Sequence, residues 1–472
     1  MKWTLEQIKT WTNGKILSTV HQNFDSIGTD TRADLTGKVF VALKGDSYDA
    51  HDYLDQAVQK GAAALLVHRL DPKFADLKDK VSIIEVGDTL TGLQEFAHGY
   101  RKTLDTKIIA ITGSNGKTTT KEFTAQILST FKKTHYNKGS FNNHWGVPMT
   151  LLEITPDTAF AVVEMGMNHA GEITKLVQIA DPDYVVCTMV GTAHIEFFGT
   201  QKNIADAKAE IYMESRPDTV RIFNQDQDLT FDMMYPVARK FPDSRMLSFS
   251  SRNNEADVYM QIDSLSMRGM HVSGLINTKA NDADIPIFGK HNLVNLMAAA
   301  TLAYAVRMPP ELIWAALPLC KTAWGRNQFI QTAIGAEILF DGYNANPDSM
   351  TALLENIPLL KVEGKKIGVF GQMKELGAEA INAHREIGEK AGKVGFAQIY
   401  FIGEDAKHFE EGVRTSGFSG DILIKSTFDS SLGEKLKSSL GRGDIVVVKG
   451  SRGAETERFV EFCDPLNWTT KK

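Results

Sequence analysis

The sequence predicts an α/β protein whose mainly parallel sheets carry helices on both faces. Short apolar segments rich in β-branched residues alternate with helical segments along the chain, which favours βαβ units. The chain has 472 residues, too many for one hydrophobic core and enough for about three domains. One strand runs directly into a glycine turn and then a helix, the arrangement that forms phosphate-binding loops.

The first domain is expected over residues 1–104, as a smaller α/β unit. Lys38–Leu43 has the composition of a buried strand, and Tyr53–Lys60 that of a helix capped by Gly61. Ala62–Val67 is the next predicted strand. The alternation of strand, helix and strand predicts a βαβ unit here.

The central domain is expected over residues 105–325, built on a parallel sheet of the phosphate-loop ATPase kind. Its first strand is the apolar run that begins at Lys107, and a helix is predicted over Lys121–Thr130. Buried strands are predicted at Ala159–Val163 and Tyr184–Cys187. A long amphipathic helix is predicted from Asn292 to Val306.

The third domain is expected over residues 326–472, as a Rossmann-like unit. It repeats the βα rhythm, with helical segments between its predicted strands. Those strands are Glu337–Phe340, Lys366–Phe370, Gln398–Ile402, Asp421–Ile424 and Asp444–Val448.

Composition restricts the classes of partner. Hydrophobic residues make up 43% and charged residues 23%, with a net charge of −6, so there is no basic footprint for nucleic acid. The three cysteines, Cys187, Cys320 and Cys463, are isolated and suggest neither a disulfide framework nor a zinc site. No apolar leader or run of membrane-spanning length is present, which favours a reducing, cytoplasmic setting.

The turn after the first central strand predicts a nucleoside triphosphate site. Glycines let the backbone approach an anion, and free N–H groups at the helix start point towards it. Lys117 places a cation on the terminal phosphates, and the Thr118 hydroxyl suits Mg²⁺. The glycines enclose two residues where the common pattern has four, and the alternative is a solvated turn with a chance lysine. The predicted loop comprises Gly113, Ser114, Asn115, Gly116, Lys117, Thr118 and Thr119.

Two further residues follow buried strands. Glu164 ends the strand Ala159–Val163, where phosphate-loop enzymes place a carboxylate that holds or orients Mg²⁺; the alternative is an ordinary strand-end glutamate. His194 follows a strand expected to end at Val190, at the sheet edge where ligands gather. A lone histidine is more often structural.

Two predicted helices carry polar residues whose functional roles cannot be decided from their spacing in the sequence alone. Lys208 is flanked by alanines on a predicted helix and is equally compatible with a solvated surface lysine. Asn292 and Asn295 share a helix face, and their amides suit an adenine edge. They are also typical of an N-cap and first turn.

Taken in order, these motifs resemble the Mur ligases, the ATP-dependent amide-forming enzymes of peptidoglycan synthesis. The resemblance covers nearly the whole chain. It implies ligation of D-alanyl-D-alanine to UDP-N-acetylmuramoyl-tripeptide through an acyl phosphate, with ATP and Mg²⁺, by a protein expected to be a monomer. The similar segments are Thr29–Arg32, Phe40–Gly45, Phe141–Asn143, Gly146–Leu152, Glu164–Ile173, Asp341–Met350, Gln372–Gly377 and Lys449–Arg452.

The resemblance implies roles on the ATP side. Lys117 is expected to act on the phosphates, and Lys208 to carry a CO₂-derived carbamate, an anionic oxygen ligand that suits a hard cation better than an ammonium. Asn292 and Asn295 resemble adenine contacts, Arg326 an arginine that reaches ATP and Asp341 a ribose contact. The expected magnesium set is Thr118, Glu164, His194 and Lys208.

The resemblance also implies substrate contacts. Thr31 and Lys44 belong to the part that binds the UDP-sugar, and the third domain is expected to close over ATP and bind the dipeptide. Gln372 stands where Asp is more usual and His144 where another residue is expected, so both roles are open. The remaining expected contacts are Asn142, Asn143, Asn344, Asn346, Lys449, Ser451 and Arg452.

Three alternatives remain at the level of sequence. The sister ligase that adds the third amino acid carries an Asp-Asn-Pro-Arg-like signature that is absent here. A folyl-polyglutamate synthetase is disfavoured by the segment Tyr343–Pro347. The third alternative is an ATP-dependent switch that performs no ligation. A ligase releases ADP only when an amine acceptor is present, and this requirement distinguishes it from a switch.

Overall fold

The structure is a computed structural model and describes residues 2–45, 47–137, 139 and 141–469. Three large sheets follow one another along the chain, over residues 15–85, 107–285 and 328–449, and a two-stranded sheet lies near the start. Helices cover both faces of the larger sheets, so the α/β prediction is confirmed. The limits of the domains at 104 and 325 remain predictions.

The first sheet has the spatial order β2-β7-β6-β5-β4 and is parallel except for β2. The chain starts with a short antiparallel pair, β1 with β3. The strands are β1 Trp3–Thr4, β2 Lys15–Ser18, β3 Asn23–Phe24, β4 Ile27–Gly28, β5 Val39–Val41, β6 Ala64–Val67 and β7 Ser82–Glu85. The helices are α1 Leu5–Trp11, α2 Leu54–Gln59 and α3 Thr89–Arg101, with 3₁₀ turns at Ala50–Tyr53 and Pro72–Asp79.

Helix α3 joins the first sheet to the central one. Its N-cap, Asp88, accepts a hydrogen bond from the Thr91 amide, and its C-terminal Tyr100 donates to the Ile154 carbonyl at 2.7 Å. Arg101, nearly buried, pairs with Asp183 at 2.9 Å. These contacts fix the orientation of the first sheet against the central one.

The central sheet has nine strands in the order β16-β15-β14-β13-β12-β11-β8-β10-β9. The run from β9 to β14 is parallel, and β14, β15 and β16 form an antiparallel meander. The strands are β8 Lys107–Thr112, β9 Thr134–Tyr136, β10 Phe160–Glu164, β11 Tyr184–Cys187, β12 Val220–Asn224, β13 Met246–Ser250, β14 Val258–Ser266, β15 Gly269–Ile276 and β16 Lys279–Ile285.

The central helices bury both faces of this sheet. The long helix α11 is apolar almost all round and packs against α4, as a helix inside a large core should. The helices are α4 Lys117–Ser129, α5 Gly146–Glu153, α6 Glu172–Ala180, α7 Ile195–Phe198, α8 Gln201–Met213, α9 Asp228–Phe231, α10 Met234–Lys240, α11 Asn292–Ala305 and α12 Pro310–Ala316, followed by a 3₁₀ turn at Leu317–Leu319.

The third sheet has the order β17-β18-β22-β19-β20-β21 and is parallel except for β17. Its strands are β17 Gln328–Gln331, β18 Glu337–Asp341, β19 Lys366–Gly371, β20 Gln398–Ile402, β21 Asp421–Lys425 and β22 Ile445–Lys449. Its helices are α13 Pro347–Leu354, α14 Ala380–Lys393, α15 Ala406–Thr415, α16 Ser430–Ser439 and α17 Glu457–Phe462, with 3₁₀ turns at Ile357–Leu359, Gly377–Glu379 and Arg452–Ala454.

Two predicted boundaries near the site are wrong. Helix α4 begins at Lys117, not Lys121, because Gly116 adopts φ +83° as its N-cap and burial of the threonines outweighs their weak helix propensity. Strand β11 ends at Cys187, not Val190: Thr188 turns its hydroxyl onto the carbonyls of Thr112 and Asn115. The residues between β11 and His194 are therefore a loop over the phosphate site.

Among the residues that the structure describes, no helix combines the length and apolarity needed to cross a bilayer.

Candidate active site

The loop predicted to bind phosphate lies between β8 and α4. Gly113 has φ +147° and Gly116 φ +83°, which side chains rarely adopt. A Cβ on Gly113 would lie 1.9 Å from Thr188 Oγ1, and one on Gly116 would lie 2.2 Å from Asn295 Oδ1. Both glycines are therefore required by close packing as well as by backbone conformation.

Lys117 folds back over the loop that it follows. Its Nζ donates to the Gly113 carbonyl at 2.7 Å and approaches the Ser114 carbonyl at 3.4 Å. Burial lowers the pKa of this lysine, while the Glu164 carboxylate acts in the opposite direction. This geometry contradicts a solvated turn with a chance lysine and leaves a cation at the centre of an anion-binding loop.

Glu164 ends β10 and is 1% exposed. One carboxylate oxygen accepts from Thr118 Oγ1 at 2.9 Å, and the other accepts from Asn142 Nδ2 at 2.7 Å. The structure thus brings together three residues that the sequence placed on separate segments. Both donors are neutral, so this buried carboxylate has no cation hydrogen-bonded to it among the described residues.

Lys208 lies on α8 and is also 1% exposed, which excludes the surface alternative. Desolvation lowers its pKa to about 7, and the nearby Lys117 adds to the effect. An amine with such a pKa is substantially neutral near pH 7. Lys208 therefore has the chemical form that reacts with CO₂, which a surface lysine lacks.

His194 lies on the loop after β11 with a left-handed backbone, φ +66°. Its Nδ1 is 2.7 Å from the Glu375 carboxylate of the third sheet. This contact holds the pKa of Glu375 below its usual value. The histidine is consequently oriented by a residue from the other side of the cleft.

A cavity of about 440 Å³ lies between the central and third sheets, next to the phosphate loop. This volume falls in the range of small-molecule sites. Of the residues expected to contact ATP or the dipeptide, those that line the cavity are Asn115, Gly116, Thr119, Asn292, Asn295, Arg326, Asp341 and Lys449.

The two helix asparagines are linked to each other and to the phosphate-loop helix. Asn295 donates to Asn292 Oδ1 at 3.2 Å, and its own oxygen accepts from Thr120 Oγ1 at 3.1 Å. Asn292 donates to the Phe288 carbonyl at 2.8 Å. They brace the start of α11 beside the cavity, and contact with adenine remains a prediction.

Charged groups of the third domain face the same cavity. The Arg326 guanidinium lies 4.7 Å from the centre of the Tyr343 ring, and its buried Nε has no hydrogen-bond partner. Lys449 Nζ pairs with Asp341 at 2.5 Å, so these two side chains partly neutralise each other. Arg326 retains donor capacity suited to an anionic ligand.

The first turn of α13 contacts the central domain at two points. Asn346, the N-cap of α13, donates to Asn115 Oδ1 at 2.8 Å. Asp348 Oδ2 accepts from the Thr192 amide at 2.6 Å and from its hydroxyl at 2.9 Å. The described arrangement is therefore a closed one, with the third domain held on the phosphate loop and on the loop before His194.

Asp348→Ala should raise KM for ATP by roughly ten- to a hundredfold, because losing a charged hydrogen bond destabilises the closed arrangement by about 1.5–3 kcal/mol. Initial rates and small-angle scattering would report the affinity and the opening. Asp243→Ala, at an exposed aspartate, is the control. Unchanged KM and scattering for Asp348→Ala would show that this contact does not maintain closure.

The other expected dipeptide contacts are held mostly by the protein itself. Asn344 is exposed, and its carbonyl accepts from Lys449 at 3.2 Å. Ser451 is buried and donates to the Ala345 carbonyl at 3.3 Å. Arg452 pairs with Glu457 at 2.7 Å and lies over the Trp324 ring. Their roles towards a substrate remain predictions.

The expected UDP-sugar residues follow strands of the first sheet. Thr31 is nearly buried after β4, and Lys44 is exposed after β5, paired by backbone with Asp49. Asp49 approaches His51 Nδ1 at 2.7 Å, and His51 Nε2 accepts from the His68 amide at 3.0 Å. Because both ring nitrogens of His51 have partners, this residue braces the loop after β5.

Three polar residues acquire structural explanations. Asn143 Oδ1 accepts from the amide of Gly146, the first residue of α5, at 2.9 Å. His144 is exposed beside a cavity of about 680 Å³ between α3 and α6, and its carbonyl accepts from Gln94. Gln372 bonds Asp405 through side chain and backbone at 2.5 and 3.1 Å. Gln372 thus joins the ends of β19 and β20 without contributing a charge.

Sequence reasoning missed Thr192, Asp348 and Glu375 as contacts between domains. Glu375 and Asp348 lie inside segments that resemble the Mur ligases, so position in a motif was the available signal. His291 was also missed. It lines the cavity next to the phosphate loop and bonds Asn327 at 2.6 Å, and burial lowers its pKa to about 4.

Comparison with known proteins agrees with this geometry. The family descriptions "Mur ligase middle domain" and "Mur ligase, glutamate ligase domain" match residues 111–303 and 325–452. UDP-N-acetylmuramoyl-tripeptide–D-alanyl-D-alanine ligase of Bacillus subtilis (strain 168) is 33% identical over 98% of both chains.

Solved structures give the same result. MurF from Acinetobacter baumannii superposes with a TM-score of 0.86 at 29% identity, over 97% of this chain and 98% of that chain. MurF ligase from Thermotoga maritima in complex with ADP superposes with a TM-score of 0.80 at 26% identity, over 93% of this chain and 97% of that chain. The chain therefore belongs to the Mur ligase family and, within it, to the UDP-N-acetylmuramoyl-tripeptide–D-alanyl-D-alanine ligases.

Proposed function

We propose that the protein joins D-alanyl-D-alanine to UDP-N-acetylmuramoyl-tripeptide and converts ATP to ADP and phosphate. One observation carries the proposal. The phosphate loop, the buried Glu164 and the buried Lys208 lie beneath a third domain held closed by Asp348 and Asn346. A triphosphate bound there would be sequestered from water, as an activated acyl intermediate requires.

The phosphate loop supplies the positioning for phosphoryl transfer. The first N–H groups of α4 have no acceptor within the helix, and Lys117, whose ammonium bonds the Gly113 carbonyl, is the first residue of that helix. The carbonyl bonds of Lys117 are easily exchanged for phosphate oxygens, which are stronger acceptors. Lys117 then neutralises charge that develops on the transferred group.

The residues around Glu164 fit Mg²⁺. Thr118 and Glu164 offer hard oxygen donors, and the buried carboxylate lacks a hydrogen-bonded cation among the described residues. A divalent cation would supply that charge and neutralise the transferring phosphate. Asn142 would keep the carboxylate oriented through its 2.7 Å bond.

The same site supports a carbamate on Lys208. The neutral amine attacks CO₂ to form a carbamate and release one proton. The side chain then ends in an anionic oxygen ligand. Burial and the pKa of about 7 support this reaction. The unmodified ammonium, beside Lys117 and a divalent cation, would be repelled.

Two chemical steps complete the reaction. The tripeptide carboxylate attacks the γ-phosphorus, ADP leaves, and an acyl phosphate forms. The neutral amine of the dipeptide then attacks the acyl carbon; the C–O bond to phosphate breaks, inorganic phosphate leaves and the nitrogen gives up one proton. The protein contributes orientation and charge neutralisation in both steps.

D-Ala-D-Ala should be preferred to D-Ala by at least about a hundredfold in kcat/KM. A site shaped for a dipeptide leaves buried polar groups unpaired when the second residue is missing, at roughly 1–3 kcal/mol each. Phosphate release would be assayed side by side with D-Ala-D-Ala, D-Ala, L-Lys and meso-diaminopimelate. Preference for a diamino acid would assign the chain to the sister activity.

A non-ligating ATP-dependent switch would behave differently. It would release ADP without an amine acceptor, whereas a ligase couples sustained ADP release to amide formation. Omitting the dipeptide from the same assay therefore separates the two functions.

A further inference from the structure

A second lysine of helix α4 is completely buried outside the phosphate loop. Lys121 is 0% exposed and lies four residues after Lys117, on the same face of the helix. Its ammonium donates to the carbonyls of Asn137 and Gly139, both at 2.7 Å. The carboxylate of the adjacent Glu122, whose side chain is largely buried, lies 3.3 Å away. The cation is therefore directed at the backbone of the segment that follows β9.

Stability alone does not account for a cation at this position. Removing an ammonium from water is costly, and replacing buried charges by apolar groups of similar volume is often neutral or stabilising. Charged hydrogen bonds instead require two carbonyls to point at one atom, which an apolar side chain cannot do. The side chain of Asn137 adds a further contact to the Gly139 carbonyl, at 3.2 Å. Lys121 thus fixes the backbone geometry at these two residues.

The segment held by Lys121 leads directly to Asn142. Gly139 lies three residues before Asn142, a distance that the chain spans in at most about 11 Å. The Asn142 carbonyl accepts from the Gly166 amide at 2.8 Å, and its Nδ2 donates to the Glu164 carboxylate at 2.7 Å. The other oxygen of that carboxylate accepts from Thr118 on α4. These contacts form a closed ring that begins and ends on the first two turns of α4.

Close packing holds the Asn142 side chain from its other side. A Cβ on Gly166 would lie 2.9 Å from Asn142 Cγ, closer than such atoms approach each other. The side chain of Asn142 is therefore confined between Gly166 and the carboxylate to which it donates. A displacement of its backbone would alter the orientation of Glu164, which the proposed function places at the divalent cation.

We infer that Lys121 is a positioning residue for the divalent cation. It fixes the segment that carries Asn142 and, through Asn142, the orientation of the Glu164 carboxylate. The inference rests on the proposed function and names a residue that organises its metal site without touching the metal or the substrates. Groups that orient metal ligands in this way contribute to metal affinity.

Lys121→Met tests the inference, because methionine suits a buried position and removes the ammonium. Mn²⁺, which prefers the same oxygen ligands as Mg²⁺, serves as the probe. Its binding to the nucleotide-free protein is followed by the EPR signal of the free ion. We expect the dissociation constant for Mn²⁺ to rise about tenfold, the lower end of the effect of losing a residue that orients a metal ligand.

Lys133→Met is the matched control, because Lys133 is an exposed lysine between α4 and β9 that pairs with the exposed Asp157. It should bind Mn²⁺ as the unaltered protein does. In Lys121→Met, the Mg²⁺ concentration for half-maximal phosphate release should also rise about tenfold, and saturating Mg²⁺ should restore turnover to within about threefold. A general loss of structure would not be reversed by the metal.

Two further variants test the route through Asn142. Asn142→Ala should weaken Mn²⁺ binding about tenfold, and adding Lys121→Met should weaken it by less than a further factor of about two, because residues that act through one another are not additive. Gly166→Ala leaves Lys121 in place and displaces the Asn142 amide, so it should weaken Mn²⁺ binding by a similar factor. Gly166 has no left-handed backbone, so alanine is compatible with its conformation.

Several outcomes would overturn the inference. These are unchanged Mn²⁺ binding in Lys121→Met or in Gly166→Ala, and additive losses in the double variant. If Lys121→Met does not fold, Lys121→Gln, which retains a donor for one carbonyl, takes its place, and unfolding of both would assign Lys121 to stability alone. Weakened Mn²⁺ binding in the variants, with no pentapeptide formed by the unaltered protein, would instead refute only the proposed function.

Discussion

Lys117→Ala should lower kcat by about a thousandfold, the cost of removing one positioned charge from a transferring phosphoryl group. In the structure its ammonium is held over the loop by the Gly113 carbonyl at 2.7 Å. Among the described residues its hydrogen-bond partners are carbonyl oxygens, so its loss should leave the fold intact. Steady-state phosphate release with all three substrates measures the effect.

Lys132→Ala is the matched control for that experiment, because Lys132 is an exposed lysine just beyond the end of the same helix. Thermal unfolding of both variants reports any loss of fold. A well-folded Lys117→Ala protein with near-normal turnover would contradict the assignment of the phosphate loop.

Lys208→Ala should lower turnover by at least about a hundredfold, since stabilisation of charge by a bound metal is worth several kcal/mol and the variant would lose one of its ligands. Small carboxylates such as acetate should restore part of the activity by supplying the missing oxygens. Lys202→Ala is the matched control, an exposed lysine on the same helix that pairs with Asp206.

The carbamate itself can be observed. The protein incubated with ¹³C-bicarbonate should show one carbamate carbonyl signal that is absent from Lys208→Ala. Because burial lowers the pKa of Lys208 to about 7, the neutral amine and hence the carbamate should be favoured above that pH and lost below it. A lysine that stays unmodified in fully active protein would contradict this account.

Local patterns were sufficient for the features that depend on neighbours in sequence. Gln398–Ile402 was predicted with the bounds that the structure has, because a continuous apolar run identifies a buried parallel strand. The strand at Tyr184–Cys187 was also predicted, but its end was placed at Val190 when His194 was considered. The antiparallel meander β14–β16 was missed. Many side chains on β14 and β16 are partly or fully exposed, so these strands lack the apolar signal used elsewhere.

In the site, too, the features formed by adjacent residues were predictable and those formed by distant residues were not. The glycine turn and its lysine identified the phosphate loop from adjacent residues, whereas the burial of Lys208 depends on strands far away in sequence and could not be judged from its flanking alanines. The contacts of Asp348 and Glu375 join residues 156 and 181 positions away. Their geometry requires the folded arrangement of two domains.

The central claim is that the closed cleft performs one ligation. Mass spectrometry of a reaction that contains UDP-N-acetylmuramoyl-tripeptide, ATP, Mg²⁺ and D-Ala-D-Ala tests it most directly. The account predicts UDP-N-acetylmuramoyl-pentapeptide, together with one ADP and one phosphate for each amide bond formed. ADP and phosphate without pentapeptide, or a product that carries a single added amino acid, would contradict it.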